Sequence, residues 1–197
     1  MKLAISGHNS RIAQAFKRLV WPAEYSIAQG YRTASLMPRD WDGYLLCHGV
    51  LYGKALQEMA LDDWVDTLNA NFISTARFCD EVFEKNDRAR VCIIGSEAGF
   101  SGSYDMIYAA SKAAVHLYVT TKRLRTDRQQ LVAVAPWIIQ DAGMTVRRTD
   151  FGTTMARGAE RRLKRWLYAD EIARIAQMAI REDALCNTVI RATGGNW

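Results

Sequence analysis

KLAISGHNSRIAQAFKRLV, residues 2–20, opens the chain with an apolar run, a polar turn and a segment of helical spacing. The run over residues 2–6 predicts a buried strand, and apolar side chains over residues 11–20 recur at the interval of an α-helix. Gly7 stands between them, where a chain leaving a strand has to turn tightly. A strand that leads directly into a helix is the repeating unit of an α/β fold.

The same alternation continues to the end of the chain. Further strands are predicted over residues 25–29, 43–47, 90–94, 131–135 and 187–191, and helices over 62–84, with Asp62 as N-cap, 107–125 and 169–181. Apolar strands separated by helices are typical of a parallel sheet covered on both faces. The 197 residues contain no Pro/Gly-rich linker, so one domain over residues 1–197 is predicted.

The charge is mildly basic, with 26 Lys and Arg against 21 Asp and Glu and a formal net charge of +5. This balance does not predict a nucleic-acid partner. One stretch departs from it and carries Arg147, Arg148, Arg157, Arg161, Arg162, Lys164 and Arg165 against Asp150 and Glu160. A solvated face over a site that handles anions is the favoured interpretation, and a patch for nucleic acid or another acidic partner stays open.

The cysteine pattern indicates neither a metal site nor a disulfide framework. Cys47, Cys79, Cys92 and Cys186 lie in apolar segments without CxxC spacing, as small buried side chains do in a reducing compartment. No apolar stretch approaches the roughly 20 residues that would span a bilayer, and no leader precedes the first apolar run. We expect a cytoplasmic protein without a membrane partner.

The segment YAASK places Tyr108 and Lys112 four residues apart in a predicted helix. This spacing puts both side chains on one helix face. An ammonium beside a phenol lowers the pKa of the phenol, which makes Tyr108 a candidate general acid or base. Because such a pair also arises by chance, its setting has to support it.

Ser96 in IIGSEAG supplies that setting. It follows a predicted buried strand and precedes Tyr108 by 12 residues. Ligands bind outside the carboxyl ends of strands in open α/β sheets, so a hydroxyl at this position faces the predicted site. There Ser96 can hydrogen-bond an oxygen on which charge develops.

These motifs resemble those of the short-chain dehydrogenase/reductase family, and the resemblance runs from end to end. The serine, tyrosine and lysine of the family match Ser96, Tyr108 and Lys112, and its catalytic asparagine matches Asn71, seven positions after a tryptophan in DDWVDTLNANF. The stretches LYADEIARIAQMAI and NTVIRATGGNW resemble the last helix and last strand of the family.

The resemblance implies a single Rossmann-like, doubly wound parallel sheet and a hydride transfer between a nicotinamide cofactor and a small carbonyl or alcohol substrate. Tyr108 would exchange a proton with the substrate oxygen, Lys112 would lower its pKa and bind ribose, and Ser96 would position the carbonyl. Asn71 would help hold a water in the proton relay. A homodimer or homotetramer through the helices of Asn71 and Tyr108 is also implied.

The cofactor site resembles that of the family less closely. SGHNSRIA, residues 6–13, stands where the family has TGxxxGxG, so a pyrophosphate would lie at the helix amino terminus that begins near Ser10. Arg32 is placed where a basic residue selects NADP, with NAD as the alternative. The expected cofactor contacts are Gly7, His8, Asn9, Ser10, Arg11, Ile12, Arg32, His48, Gly49, Tyr108, Lys112, Pro136 and Ile139.

Several positions depart from the family pattern. Arg11 replaces the second glycine, LCHG replaces the asparagine-rich NNAG, and Trp137 replaces the glycine after Pro136. Only residues 30–42 separate two predicted strands, so one strand–helix unit on the adenine side is expected to be missing or reduced to a loop over residues 33–42. The basic stretch occupies the position of the substrate lid and suggests an anionic substrate. These departures also motivate a second hypothesis, a non-catalytic cofactor-sensing or scaffold protein on the same fold.

Overall fold

The protein forms one six-stranded parallel sheet in a computed structural model that describes residues 2–20, 24–28, 35–146 and 151–195. The strands are β1 (Lys2–Ser6), β2 (Glu24–Ala28), β3 (Gly43–Leu46), β4 (Arg90–Ile94), β5 (Gln130–Pro136) and β6 (Thr188–Ala192). Their order is β2-β1-β3-β4-β5-β6, and every pairing is parallel. The predicted Rossmann-like sheet is confirmed.

Helices connect the strands and cover both faces. They are α1 (Arg11–Leu19), α2 (Leu61–Leu68), α3 (Ser74–Lys85), α4 (Ala98–Ser101), α5 (Met106–Thr121), α6 (Gly143–Val146), α7 (Phe151–Gly158) and α8 (Ala169–Arg181). A π-helical turn over Asn69–Ile73 joins α2 to α3. The short helices α4, α6 and α7 were not predicted, because segments of four to eight residues carry too little periodicity.

Two helix ends differ from the sequence prediction. The long helix begins at Leu61, and Asp63, not Asp62, accepts the free N–H of Ala60 at 3.2 Å. Helix α5 ends at Thr121 instead of continuing to residue 125. Its last carbonyls accept hydrogen bonds from the side chain of Asn187, at 2.6 Å for Val119 and 3.0 Å for Lys122. A partner distant in sequence therefore terminates the helix.

The core consists of two apolar layers, one on each face of the sheet. Leu3 and Ile5 of β1 point to the layer that packs against α1 and α8, while Ala4 points to the layer under α3 and α5. This alternation follows from the two-residue period of a strand. Because every strand pairing is parallel, the carboxyl ends of all six strands meet at one edge of the sheet.

The sheet is shortened beside β2. Within the described ranges no strand lies outside β2, and residues 35–42 form turns. Met37 is buried there against the same layer as Tyr44 and Phe78. The expected reduction of one strand–helix unit is confirmed. None of the helices in the described ranges is long and apolar enough to cross a membrane.

Candidate active site

A cleft of about 570 Å³ opens at the carboxyl edge of the sheet. Its walls come from the turn after β1 and from the segments that follow β3, β4 and β5, together with one face of α5. This is the place where ligands bind in open α/β sheets. Ser96, Tyr108 and Lys112 all line the cleft, so the structure brings three of the four predicted catalytic residues together.

Gly7 is required by the close approach of two backbone segments. Its φ is +65°, and a Cβ on it would lie 2.7 Å from the backbone of both Cys47 and His48. A side chain would therefore be strained and would also push the turn after β1 away from β3. The first turn of the cleft is fixed in this way.

Helix α1 presents its amino terminus to the cleft. Ser10 is the N-cap and its hydroxyl accepts the N–H of Ala13 at 3.1 Å. Arg11 and Ile12, the first two helical residues, have no carbonyl four residues earlier in the helix for their N–H groups. The exposed Arg11 adds a cation at the same position. Together these groups suit an anionic ligand.

Tyr108 is positioned from both ends of its segment. Its N–H donates to the fully buried N-cap residue Asp105 at 2.9 Å, and Asp105 also accepts the N–H of Gly53 at 3.1 Å. Its phenol and the side chain of Ser96 both line the cleft and lie near each other. Asp105 thus ties the start of α5 to the segment after β3, so that Tyr108 meets Ser96 across the cleft.

The expected lowering of the Tyr108 pKa is not found. Burial raises the pKa of the phenol, and the Asp105 carboxylate adds to this, while the nearby side chain of Ser96 acts in the opposite direction. The Lys112 ammonium lies 5.8 Å from the phenol ring centre and donates instead to the carbonyl of Ile94 at 2.9 Å. Desolvation outweighs an ammonium at this distance, so Tyr108 is held protonated.

Lys112 is itself buried, with 5% of its surface exposed. Burial lowers the pKa of Lys112 to about 8, and Cys47 acts weakly against this shift. The lysine that follows Tyr108 by one helical turn therefore titrates near neutral pH. A buried lysine with a perturbed pKa in a cleft is typical of functional sites.

Asn71 lies behind the cleft, and it is not among the described residues that line it. Its side chain donates to the carbonyl of Val50 and to the Ser111 hydroxyl, both at 2.9 Å, and accepts the N–H of Val50 at 2.7 Å. The π-helical turn carries this asparagine, and such turns are frequent at functional sites. Asn71 thereby holds the segment beside Gly49. A Cβ on Gly49 would lie 3.0 Å from the Oδ1 of Asn71.

The two histidines expected near the cofactor have different environments. His48 lines the cleft, but its ring nitrogens are hydrogen-bonded to Ser6 at 2.5 Å and to Thr75 at 3.0 Å. Burial and the charge of Lys112 lower the pKa of His48 to about 4, so the ring is neutral. His8 is not part of the cleft lining, and its backbone N–H donates to the carbonyl of Ala28 at 3.4 Å. The expected contact through His8 is not supported.

The other expected cofactor contacts lie along the cleft. The described residues lining it include Gly7, Asn9, Ser10, Arg11, Ile12, His48, Gly49, Tyr108, Lys112, Pro136 and Ile139. Arg32 lies outside the described residues, as do Arg147 and Arg148. The sequence-based choice of Arg32 as the residue that selects NADP therefore stays a prediction.

An ion pair behind Ser96 was not predicted from the sequence. Glu97 is 2% exposed, and both of its carboxylate oxygens accept hydrogen bonds from Arg191 of β6. His116 packs beside this pair, stacked on Phe100 with ring centres 4.4 Å apart. Glu97 follows Ser96 directly, which was the available signal, but its partner lies 94 residues further along the chain.

Two arginines of the basic stretch make contacts within the fold. Arg165 pairs with Glu171 through two contacts of 2.8 and 3.0 Å. The Arg161 guanidinium carbon lies 3.9 Å from the Trp137 ring centre and 4.9 Å from that of Trp166. Neither arginine is among the described residues that line the cleft.

Sequence comparison identifies the family. The profile of the short chain dehydrogenases matches residues 30–151, more than half of the chain. The chain belongs to the short chain dehydrogenase family. It is thereby a member of a family of NAD(P)-dependent oxidoreductases that act on small molecules. No curated protein matches its sequence significantly.

Solved structures of this family share the fold over nearly the whole chain. A short chain dehydrogenase family protein from Francisella tularensis subsp. tularensis SCHU S4 superposes with a TM-score of 0.82 at 15% identity, covering 98% of this chain and 97% of that chain. A short-chain dehydrogenase/reductase from Brucella melitensis gives 0.82 at 19% identity, with 98% and 95% covered. A 3-oxoacyl-(acyl-carrier-protein) reductase from Agrobacterium tumefaciens C58 with NADP bound gives 0.80 at 16%, with 99% and 93% covered.

Proposed function

We propose that this short chain dehydrogenase interconverts a carbonyl and an alcohol with NADP(H), with Tyr108 as the proton-transferring residue. The observation that carries the proposal is the cleft that Ser96, Tyr108 and Lys112 share with the Gly7 turn and the amino terminus of α1. The first three groups suit proton transfer to an oxygen, and the last two suit an anionic cofactor. Both requirements of the reaction are met in one cavity.

The residues of the cleft fit a dinucleotide. Gly7 keeps its positive φ and the backbone contact that leaves space at the turn, while the exposed Arg11 side chain is available to a phosphate. When bound, the nicotinamide supplies a hydride to the substrate carbon or accepts one from it. Lys112 and Gly49 would face the ribose and nicotinamide part of the cofactor.

In the reducing direction Tyr108 would donate its proton to the substrate oxygen as that oxygen gains charge. The raised pKa keeps the phenol protonated for this step. Ser96, which lines the cleft beside the same phenol, would hold the carbonyl oxygen next to it. Lys112 contributes a positive charge on the same helix face, and Asn71 positions the Gly49–Val50 backbone opposite that lysine.

The preference for NADP rests on the charge of the cleft. Arg11 and Lys112 are cations among the described lining residues, and Glu97, the only carboxylate among them, is paired with Arg191. A cleft with this excess of positive charge favours the cofactor that carries the additional phosphate. The NADP and NADPH bound to two similar structures agree with this choice.

The test is reduction of carbonyl compounds by NADPH, followed by the loss of cofactor absorbance. Tyr108→Phe should lower kcat by at least about 10²-fold, the usual contribution of a general acid, without changing the melting temperature by more than a few degrees. Tyr118→Phe is the matched control, because Tyr118 lies on the same helix and bonds Asp80 outside the cleft. Equal activity of the Tyr108 variant and the wild type would refute the assigned role.

A non-catalytic cofactor-binding protein is the second candidate. Two observations favour it: the ammonium of Lys112 is hydrogen-bonded to the carbonyl of Ile94 and not to the phenol, and Trp137 lines the cleft where the family pattern has glycine. Such a protein would bind NADPH and reduce no carbonyl compound. Tryptophan fluorescence during NADPH titration, run beside the activity assay, separates it from the enzyme.

A further inference from the structure

Trp137 forms a wall of the cleft where the family pattern has glycine. It follows β5 directly, and its backbone N–H donates to the carbonyl of Ala192 in β6 at 3.0 Å. Its side chain is half-buried and lines the cleft. This hydrogen bond fixes the backbone that carries the indole to the sheet.

A cation stacked between two indoles fixes the other end of this wall. Arg161 lies over the ring of Trp137 and over the ring of Trp166, with the distances given above. Trp166 is 3% exposed and its indole N–H donates to the carbonyl of Thr154 in α7 at 2.6 Å. Trp137 lines the cleft and the other two members do not, so the guanidinium approaches Trp137 from outside.

Trp137 is one of several apolar side chains that line the cleft. The described residues Leu51, Tyr104, Ile138 and Met144 line it. Tyr104 lies near the segment of Leu51, because a Cβ on Gly53 would be 2.9 Å from the Tyr104 hydroxyl oxygen. Flat and apolar side chains of this kind suit a flat, apolar ligand.

Several charged groups near the cleft are engaged elsewhere. Glu97 is paired with Arg191, and Arg165 is paired with Glu171. Arg161 is stacked on its two indoles. Among the described residues, the basic stretch therefore places no cation in the cleft lining, and the cations that do line it, Arg11 and Lys112, are the ones assigned to the cofactor. A buried carboxylate on the substrate would lack a partner from the basic stretch in this lining.

We propose that the substrate is an uncharged carbonyl compound with a flat apolar group, and that the Trp137–Arg161–Trp166 stack sets the size limit for that group. This inference rests on the proposed function. It differs from the anionic substrate suggested by the sequence, which stays a prediction because Arg147 and Arg148 lie outside the described residues. Trp137 contacts the ligand, whereas Arg161 acts through Trp137 as a positioning residue. The stack raises specificity because a held indole cannot swing aside to admit a larger ring.

Binding of three ketones to the full-length protein without reduced cofactor tests the proposal independently of turnover. Acetophenone is small and neutral, 4-acetylbenzoate adds a carboxylate, and 2-acetylnaphthalene adds a second ring. Acetophenone should bind at least about tenfold more tightly than 4-acetylbenzoate, since the carboxylate would be desolvated without a partner. Equal or tighter binding of 4-acetylbenzoate, or no binding of acetophenone, would overturn the inference.

Three variants test the wall itself. Trp137→Ala should shift the ratio of affinities for 2-acetylnaphthalene and acetophenone by about tenfold toward the larger ketone. Arg161→Gln should shift that ratio in the same direction and change the tryptophan emission spectrum, while the exposed neighbour Arg162→Gln should change neither. An unchanged ratio in Trp137→Ala would contradict the assignment. If the ketones bind as expected and NADPH reduces none of them, the proposed reaction is refuted, while the role of Trp137 in limiting ligand size is supported.

Discussion

The ammonium of Lys112 donates to the carbonyl of Ile94 at 2.9 Å, at the carboxyl end of the strand that leads to Ser96. This bond crosses from helix α5 to strand β4 and brings a buried positive charge to the floor of the cleft. Burial lowers the pKa of Lys112 to about 8, so this charge is present at neutral pH and is lost just above it. Both the activity and the stability of the protein are expected to depend on it.

The rate of carbonyl reduction should decrease as the pH rises through about 8. The pKa of Lys112 lies there, while the pKa of Tyr108 is raised, so the lysine is the group that loses its proton in this range. If the ammonium is required, kcat/KM should fall about tenfold between pH 7 and pH 9. The pH profile of Lys112→Arg, which keeps its charge, should lack this decrease. A wild-type profile that is flat over this range would contradict the expected role.

Replacing Lys112 should stabilise the fold at neutral pH. Its pKa in the folded state, about 8, lies below the ordinary value of 10.5, so the unfolded chain binds more protons between these values and wild-type stability rises with pH there. Below pH 8 the desolvation penalty is complete. Lys112→Met should therefore raise the free energy of unfolding by up to about 3 kcal/mol at pH 7, less the lost hydrogen bond, and by roughly half as much at pH 9.5.

Denaturant unfolding at the two pH values measures this difference. Lys122→Met is the control, because Lys122 lies outside the cleft at the end of the same helix. The change that Lys122→Met causes in the free energy of unfolding should be no larger at pH 7 than at pH 9.5. Lower stability of Lys112→Met than of the wild type at pH 7 would show that the Ile94 hydrogen bond outweighs the cost of burial.

Gly7→Ala should damage both the fold and cofactor binding. Its Cβ would meet the backbone at 2.7 Å and φ is +65°, so strain of about 1–2 kcal/mol adds to the steric overlap. The turn after β1 has to move, which should weaken NADPH binding at least about tenfold. Gly152→Ala in α7, where a Cβ meets nothing within 4 Å, should leave NADPH affinity unchanged. Calorimetric titration of both variants decides between these outcomes.

Arg191→Leu should destabilise the protein through Glu97. That carboxylate is 2% exposed and would lose both of its hydrogen bonds with Arg191. Removing the arginine leaves the buried carboxylate without its partner, so the melting temperature should fall. Adding Glu97→Gln should recover part of the loss in thermal unfolding. No recovery in the double variant would mean that Arg191 acts through Phe100 packing instead.

A homodimer or homotetramer is expected to form through the exposed apolar side chains of the long helices. Ile73 at the π-helical turn is 42% exposed and Leu117 on α5 is 65% exposed. Exposed apolar groups on neighbouring helices are typical of subunit contacts. Ile73→Glu with Leu117→Glu should give a monomer in light scattering, and Leu36→Glu, 81% exposed outside these helices, should not. A monomeric wild type would exclude this interface.

Local sequence predicted the elements and the cleft well where the pattern was long. The strand bounds agree within one residue over the described positions, because each strand is a nearly continuous apolar run. Ser96, Tyr108 and Lys112 were found from their position after β4 and from their helical spacing. Their shared placement follows from the parallel sheet, since all strand carboxyl ends meet at one edge.

Energies that depend on distant partners could not be predicted in the same way. The spacing of Tyr108 and Lys112 indicated an electrostatic activation, but burial and the Ile94 carbonyl decide the protonation of both groups. The Glu97–Arg191 pair and the end of helix α5 at Asn187 involve residues far apart in sequence. The charges of the basic stretch are visible in sequence, whereas the indole partner of Arg161 and the carboxylate partner of Arg165 are not.

The sequence by itself determined the α/β fold, the shortened sheet edge and the identity of the polar groups available for catalysis, because hydrophobic periodicity and chain length are local properties. The tertiary structure alone decided which of those groups are desolvated, which charges are paired and which side chains wall the cleft. Desolvation and pairing depend on distances of a few ångströms between segments tens of residues apart, and no local pattern specifies those distances.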